Sequence, residues 1–326
     1  MLHTTLTTSW HLQYPILGAP MAGVGGGRLA HAVSQAGGLG MFGVGSQTPV
    51  EFIKREAAFA RGEEQGRFGI GLMAWVLETR PELLEAAIQA QPFLISISFG
   101  SPAPYVKHLH QQGILVATQV HSRAEALEAA QAGVDLLVAQ GTEAGGHTGQ
   151  VSTLPLLQLV LEAVETPVVA AGGIASPRGV VAALAAGAQG VWVGTCLLAS
   201  SESGASESAR ARLLQAQETE TTLTRVFDLA QGFAWPEQFP GRALRNRFTQ
   251  EWDTHPEKLL ADAQARQHLE DAIKRRDYEV AVLYAGQAVG LVTQQQPAGD
   301  IIRGLGDGAE HLLRTQCRKL LEDGSK

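Results

Sequence analysis

The sequence predicts an α/β fold: a (β/α)8 TIM barrel carrying a smaller, mainly helical lid domain toward its C-terminal end. Three observations carry this. Short apolar runs recur along the first part of the chain, amphipathic segments separate them, and the runs are apolar throughout instead of alternating. Eight runs occupy residues 15–21, 38–44, 68–73, 93–99, 114–120, 134–140, 167–172 and 190–194. Stretches such as VDLLVA and TPVVAAG read as strands buried on both faces, the pattern of parallel strands covered by helices. Eight strand–helix units point to a barrel, although a doubly wound sheet satisfies the same pattern without closing.

The intervening elements fit this order. Residues 123–132 and 177–186 carry helical spacing, and Gly113, Gly133 and Gly187 each precede a strand, where a glycine ends a helix in the left-handed region. Strand starts at Phe93, Ile114 and Val134 lie about 20 residues apart, a compact unit, but the next step is longer by about a dozen. The excess is residues 141–153, a polar, glycine-rich loop at the C-terminal end of a strand, where barrel enzymes keep their chemistry.

Beyond residue 200 the rhythm stops. Residues 201–208 read as a linker, 209–217 and 256–276 as helices, and 233–247 as an irregular lid around Trp235 and Phe239. Residues 297–322 repeat apolar side chains through Ile301, Leu305, Leu312, Leu313, Leu320 and Leu321, a helix expected to return to the barrel. The expected division is a barrel of residues 1–200 completed by residues 297–326, with 201–296 as the lid.

Composition excludes several classes. Hydrophobic residues at 45% and charged residues at 17% suit a chain with a large core, not a disordered one. The net charge of −7, with no basic cluster, argues against nucleic acid. The two cysteines make neither a disulfide framework nor a metal cluster, so no metal is expected and Cys196 reads as a buried thiol. No signal peptide or membrane span is legible, and a cytoplasmic setting is expected.

Two glycine sites suggest phosphate binding. Ala171 and Gly172 end the seventh run and Gly173 follows it, before Ser176 and Pro177 open a helix; Gly194 ends the eighth and Thr195 follows. Glycines there let backbone amides approach an anion, and the last two barrel strands commonly hold a phosphate. The segment GLGMFG at residues 38–43 satisfies a dinucleotide fingerprint literally, but it follows a helix and forms a strand, the reverse of the required context. The most specific motif is AQGTEAGGHTG, residues 139–149, which sets His147 among glycines in the long loop. Histidine there suits proton transfer or the holding of an anion.

Together with YPILGAPMAG at residues 14–23, these motifs resemble the nitronate monooxygenase family and the related FabK-type flavin enoyl-ACP reductases. GTCLLASSES, ETETTLTRVF, LRNRF and YAGQAVGLV extend the resemblance over most of the chain. It implies FMN as cofactor and His147 as the catalytic residue. Met21, Gln140 and Gly145 would belong to the flavin site, and Gly172 and Gly173 with Trp192, Val193, Gly194 and Thr195 to its phosphate pocket. Relatives carry an asparagine in the third strand against the flavin, whereas this chain has Gly71. The implied reaction takes a small-molecule nitronate or nitroalkane and O2 to a carbonyl compound and nitrite; for assembly, a homodimer is the one option it suggests. An NAD(P)H-dependent reductase on the same scaffold is the alternative, and a non-catalytic flavin carrier a third.

Overall fold

The computed structural model describes residues 2–320, so residues 321–326, with Leu321 at the end of the expected C-terminal helix, lie outside the described residues. Its strands are β1 (Ile16–Gly18), β2 (Met41–Gly43), β3 (Gly69–Met73), β4 (Leu94–Ser98), β5 (Leu115–Val120), β6 (Leu136–Gln140), β7 (Gly146–His147), β8 (Val168–Ala171), β9 (Gly190–Val193), β10 (Thr221–Thr224) and β11 (Gly241–Leu244). All except β7, β10 and β11 form one parallel sheet in the order β1-β9-β8-β6-β5-β4-β3-β2, and each lies inside one of the eight predicted runs. The sheet closes: Leu17 bridges Leu39 in parallel, Gly18 N donates to Leu39 O at 2.9 Å, and Leu39 N donates to Ile16 O at 3.0 Å. The fold is a TIM barrel.

Two layers of core explain why the strands are apolar on both sides. Ile70, Ile95, Val116, Leu137 and Val191 pack outward against the helices. Leu17, Leu94, Leu136, Val138, Val169 and Trp192 fill the barrel. Each such side chain contributes about 1.5–3 kcal/mol on burial. Leu6, Trp10 and Leu12 join the inner cluster, and Trp10 meets Phe93 edge-on at 5.4 Å. With Thr5 bound to Gln189, the N-terminal segment therefore plugs the end of the barrel where the strands begin. The opposite end is left for a site.

Helices start and stop on the expected signals. Ser122 and Ser176 cap Arg123–Gln131 and Pro177–Ala185 by accepting from Glu125 N and Gly179 N. The last long helix, Ala298–Leu312, buries Ala298, Ile302, Leu305 and Ala309 in the outer core, against Gly27–Gln35 and Pro177–Ala185. Tyr14 OH fixes it by donating to Asp307 at 2.6 Å. No helix among the described residues is long and apolar enough to cross a membrane.

The segment between the barrel and that helix is less purely helical than expected. The predicted helix 256–276 is two, Pro256–Ala261 and Ala263–Arg275, broken where Asp262 leaves the helical region and caps the second through Ala265 N. The irregular lid at 233–247 contains β11, which pairs antiparallel with β10 and, on its other side, with β7 of the barrel loop. Prolines and aromatics before Gly241 conceal this strand. It is four residues long and depends on distant partners.

Candidate active site

The polar loop after β6 is held from both sides. Gly141 lies so close to the helix Thr153–Leu161 that a Cβ would stand 2.2 Å from Thr153 Oγ1 and 2.3 Å from its backbone nitrogen. Glu143 accepts from Thr153 N at 2.8 Å and Oγ1 at 2.6 Å, a carboxylate at a helix start. Arg242 of β11 is buried and donates to Thr142 O at 2.6 Å and Thr221 Oγ1 at 3.1 Å. Burial lowers its pKa while the Glu143 charge opposes that. These contacts leave the segment from Gly145 to Thr148 a fixed path over the open end of the barrel.

There the chain lines a cavity of about 800 Å³. Met21, Gly71 and Gln140 line it from the strand ends, and Gly145 and His147 from the loop. Gly172, Gly173, Trp192, Gly194 and Thr195 line it from the ends of β8 and β9. Val193 stands apart: its side chain lies in the outer core and its carbonyl accepts from Ala19 N at 2.8 Å. Gly172 and Gly173 have φ of +105° and +72°, a turn that side chains resist. Among the described residues, the amides of Gly173 and Gly194 donate to no other group. The Thr195 hydroxyl accepts from Gly286 N at 3.0 Å, which leaves its own proton to donate.

His147 is buried, and its Nε2 lies 2.9 Å from Asp228 Oδ2. The carboxylate is itself buried and accepts a longer bond from Tyr284 OH at 3.4 Å. Burial, and then the Asp228 charge, raise the Tyr284 phenol well above its ordinary value, so it stays a neutral donor. Because a carboxylate oxygen accepts, Nε2 is the nitrogen placed to donate to it, and Nδ1 is the one turned away from the carboxylate. Nδ1 has no hydrogen-bond partner among the described residues. The Trp235 indole covers one face of the imidazole at 3.4 Å with 8° between planes, and Trp75 and Phe99 pack around it.

Asp228, Tyr284 and Trp235 reach His147 from the lid and were not singled out as site residues in the sequence. One signal was legible: in Val226–Gln231, the acid follows Val226 and Phe227 and precedes Leu229, an anion within an apolar helix. Cys196 takes no part, since burial pushes its thiol up to about 12. Among the described residues no group of three or more His, Cys, Asp or Glu could hold a metal.

Gly71 shows why a side chain is missing at the third strand. A Cβ there would lie 2.4 Å from Pro20 Cγ and 2.5 Å from Pro20 Cβ. The proline ring cannot swing away. We expect Gly71→Asn to cost about 1–3 kcal/mol and to lower the melting temperature of the flavin-free protein by roughly 2–10 °C. An unchanged melt would mean that Pro20 moves freely.

Known proteins share this sequence pattern and fold. A family described as nitronate monooxygenase matches residues 77–308. A protein of Staphylococcus aureus (strain MSSA476) described as a probable nitronate monooxygenase is 30% identical, over 91% of this chain and 94% of that one. FabK from Thermotoga maritima superposes with a TM-score of 0.84 at 28% identity, covering 98% of this chain and all of that one, 100%. Nitroalkane oxidase from Streptomyces ansochromogenes gives 0.80 at 29% identity, over 98% and 100%.

Proposed function

Because the chain belongs to the nitronate monooxygenase family and is an oxidoreductase, we propose that it is an FMN-dependent enzyme that oxidises alkyl nitronates, and the nitroalkanes they derive from, with O2 to a carbonyl compound and nitrite. The cavity suits a flavin on this chain's own features. It is large enough for a flavin and a small substrate, and its inner wall carries amide donors without partners at Gly173 and Gly194. Those amides and the Thr195 hydroxyl would hold the phosphate, with Gln140, Gly145 and Met21 along the ring system. When bound, the flavin supplies the electron acceptor that nitronate oxidation needs and passes the electrons to O2.

The observation that carries the reading is the buried His147–Asp228 pair in the wall of this cavity, 2.9 Å apart. A neutral nitroalkane must lose its Cα proton to become a nitronate. Nδ1 of His147 takes that proton, Asp228 holds the ring and balances the imidazolium, and Trp235 shields it from water. For a substrate that arrives already as the nitronate, the same ring faces the anion and fixes its position.

The test mixes FMN-loaded protein without oxygen against propionate 3-nitronate, nitroethane or NADPH. Loss of the oxidised-flavin absorption with the first two, and nitrite on admitting air, is the expected result. The likeness to FabK favours one second reading, an NAD(P)H-dependent reductase. Rapid reduction by NADPH, with none by the nitronate, would establish that instead.

A further inference from the structure

A second histidine lies beneath the cavity. Gln140, the last residue of β6, lines the cavity, and its Oε1 lies 2.8 Å from His121 Nε2. On the other side of the ring, Nδ1 is 3.1 Å from Glu125 Oε2, which also accepts from His121 N at 2.8 Å. The ring packs against both Phe99 and Phe239, with centroids at 5.7 and 5.0 Å, and its side chain is 4% exposed. A smaller cavity of about 160 Å³ flanks it, lined also by Glu125 and Glu128. The Glu125 side chain is 41% exposed, so the chain Glu125–His121–Gln140 runs from solvent to the central cavity.

Carboxylate and amide oxygens only accept, so in this arrangement both ring nitrogens face acceptors, the hydrogen-bond pattern that suits a doubly protonated ring. It holds Oε1 of Gln140 and turns the amide NH2 toward the cavity. Once Nε2 loses its proton, its lone pair needs a donor, which the same amide provides by rotating half a turn. The cavity then meets a carbonyl in place of an NH2. We propose that His121, set by Glu125, is a positioning residue that switches Gln140 between donor and acceptor toward the flavin, so that cofactor binding falls as pH rises. This rests on the flavin reading above. The flavin edge is richer in acceptors than in donors, so the NH2 form is the one that binds it.

The surroundings favour a single controlling pair. Glu125 and Glu128 face the ring side from the helix Arg123–Gln131. β5 contributes Gln119, the end of β4 Phe99, the lid Gln238 and Phe239, and the loop Gly149, all uncharged. Across Gln140, the titratable groups His147, Asp228 and Tyr284 belong to the central cavity. The Glu125 carboxyl is held below its usual range: burial works to raise it, and the hydrogen bond and charge of His121 outweigh that.

The experiment measures FMN dissociation from the full chain by fluorescence quenching across roughly pH 5–9, with a thermal melt of each flavin-free variant. In the unaltered protein, affinity should fall roughly tenfold through one protonation step. Glu125→Gln should move the step to lower pH by removing the counter-charge, and His121→Phe should abolish it. Ionisation of the FMN phosphate is common to all three proteins and cancels in the comparison. The same step in His121→Phe, or FMN binding with no difference among the proteins, overturns the switch. Should His121→Phe melt early, the displaced step in Glu125→Gln decides alone. Failure of the unaltered protein to bind FMN overturns the flavin reading instead.

Discussion

His147→Gln should lose roughly 10²–10⁴-fold in kcat/KM toward a neutral nitroalkane, and Asp228→Asn should reproduce most of that loss. Both should keep far more of their activity toward the preformed nitronate, which has no Cα proton left to give. The two substitutions act at one point. Asp228 accepts from Nε2 at 2.9 Å, which leaves the lone pair on Nδ1. Asparagine can offer its NH2 to Nε2 instead, moving the hydrogen to Nδ1 and leaving no base toward the substrate. Tyr284, which donates to the other carboxylate oxygen, would not correct this, because it supports either residue. Steady-state rates on nitroethane and on ethyl nitronate, at equal flavin content, make the comparison. Equal losses on both would assign His147 to holding the anion and not to proton transfer.

Gly141→Ala should be nearly as damaging without touching a catalytic group. The added methyl would meet Thr153 Oγ1 at 2.2 Å and its backbone atoms at 2.3 Å, and no rotamer relieves a backbone clash. Thr153 also donates twice to Glu143, and Thr148 Oγ1 donates to Gly141 O at 3.0 Å, so a shift at Gly141 reaches both ends of the loop. Moving Gln140 and His147 by about 1 Å is enough for roughly a 10²-fold loss of activity. Flavin content after purification should fall with it. Full flavin occupancy and unaltered kinetics would show that the helix Thr153–Leu161 yields instead of the loop.

The barrel was legible because its signal is local. A strand buried on both faces is apolar all along, whatever its partner, and the eight runs contain the eight strands. Closure was not legible, since it depends on Leu17 meeting Leu39 through two hydrogen bonds that no pattern announces. Nor was the plug: Leu6, Trp10 and Leu12 read as stray apolar residues until the barrel gives them an interior. The motif around His147 was plain, because glycines and a long loop at a strand end have few other uses. Its partners were hidden because they come from 81 and 137 positions farther along the chain, Asp228 and Tyr284 by subtraction from 147. β11 was hidden for a related reason: Arg242, the charged residue that would argue against a buried strand, is satisfied by carbonyl and hydroxyl oxygens brought from elsewhere.

The pairing of β7 with β11 bears on how the site is held together. His147 is at once a residue of the barrel loop and a rung of the lid's own ladder, opposite Gly241. Displacing the lid would have to break those rungs or carry the histidine with it, and Asp228 and Trp235, which hold its ring, belong to the same lid. The ladder that joins lid to barrel loop is therefore also what fixes the ring that the proposed proton transfer would use, so a change in β11 is felt at the imidazole without touching it.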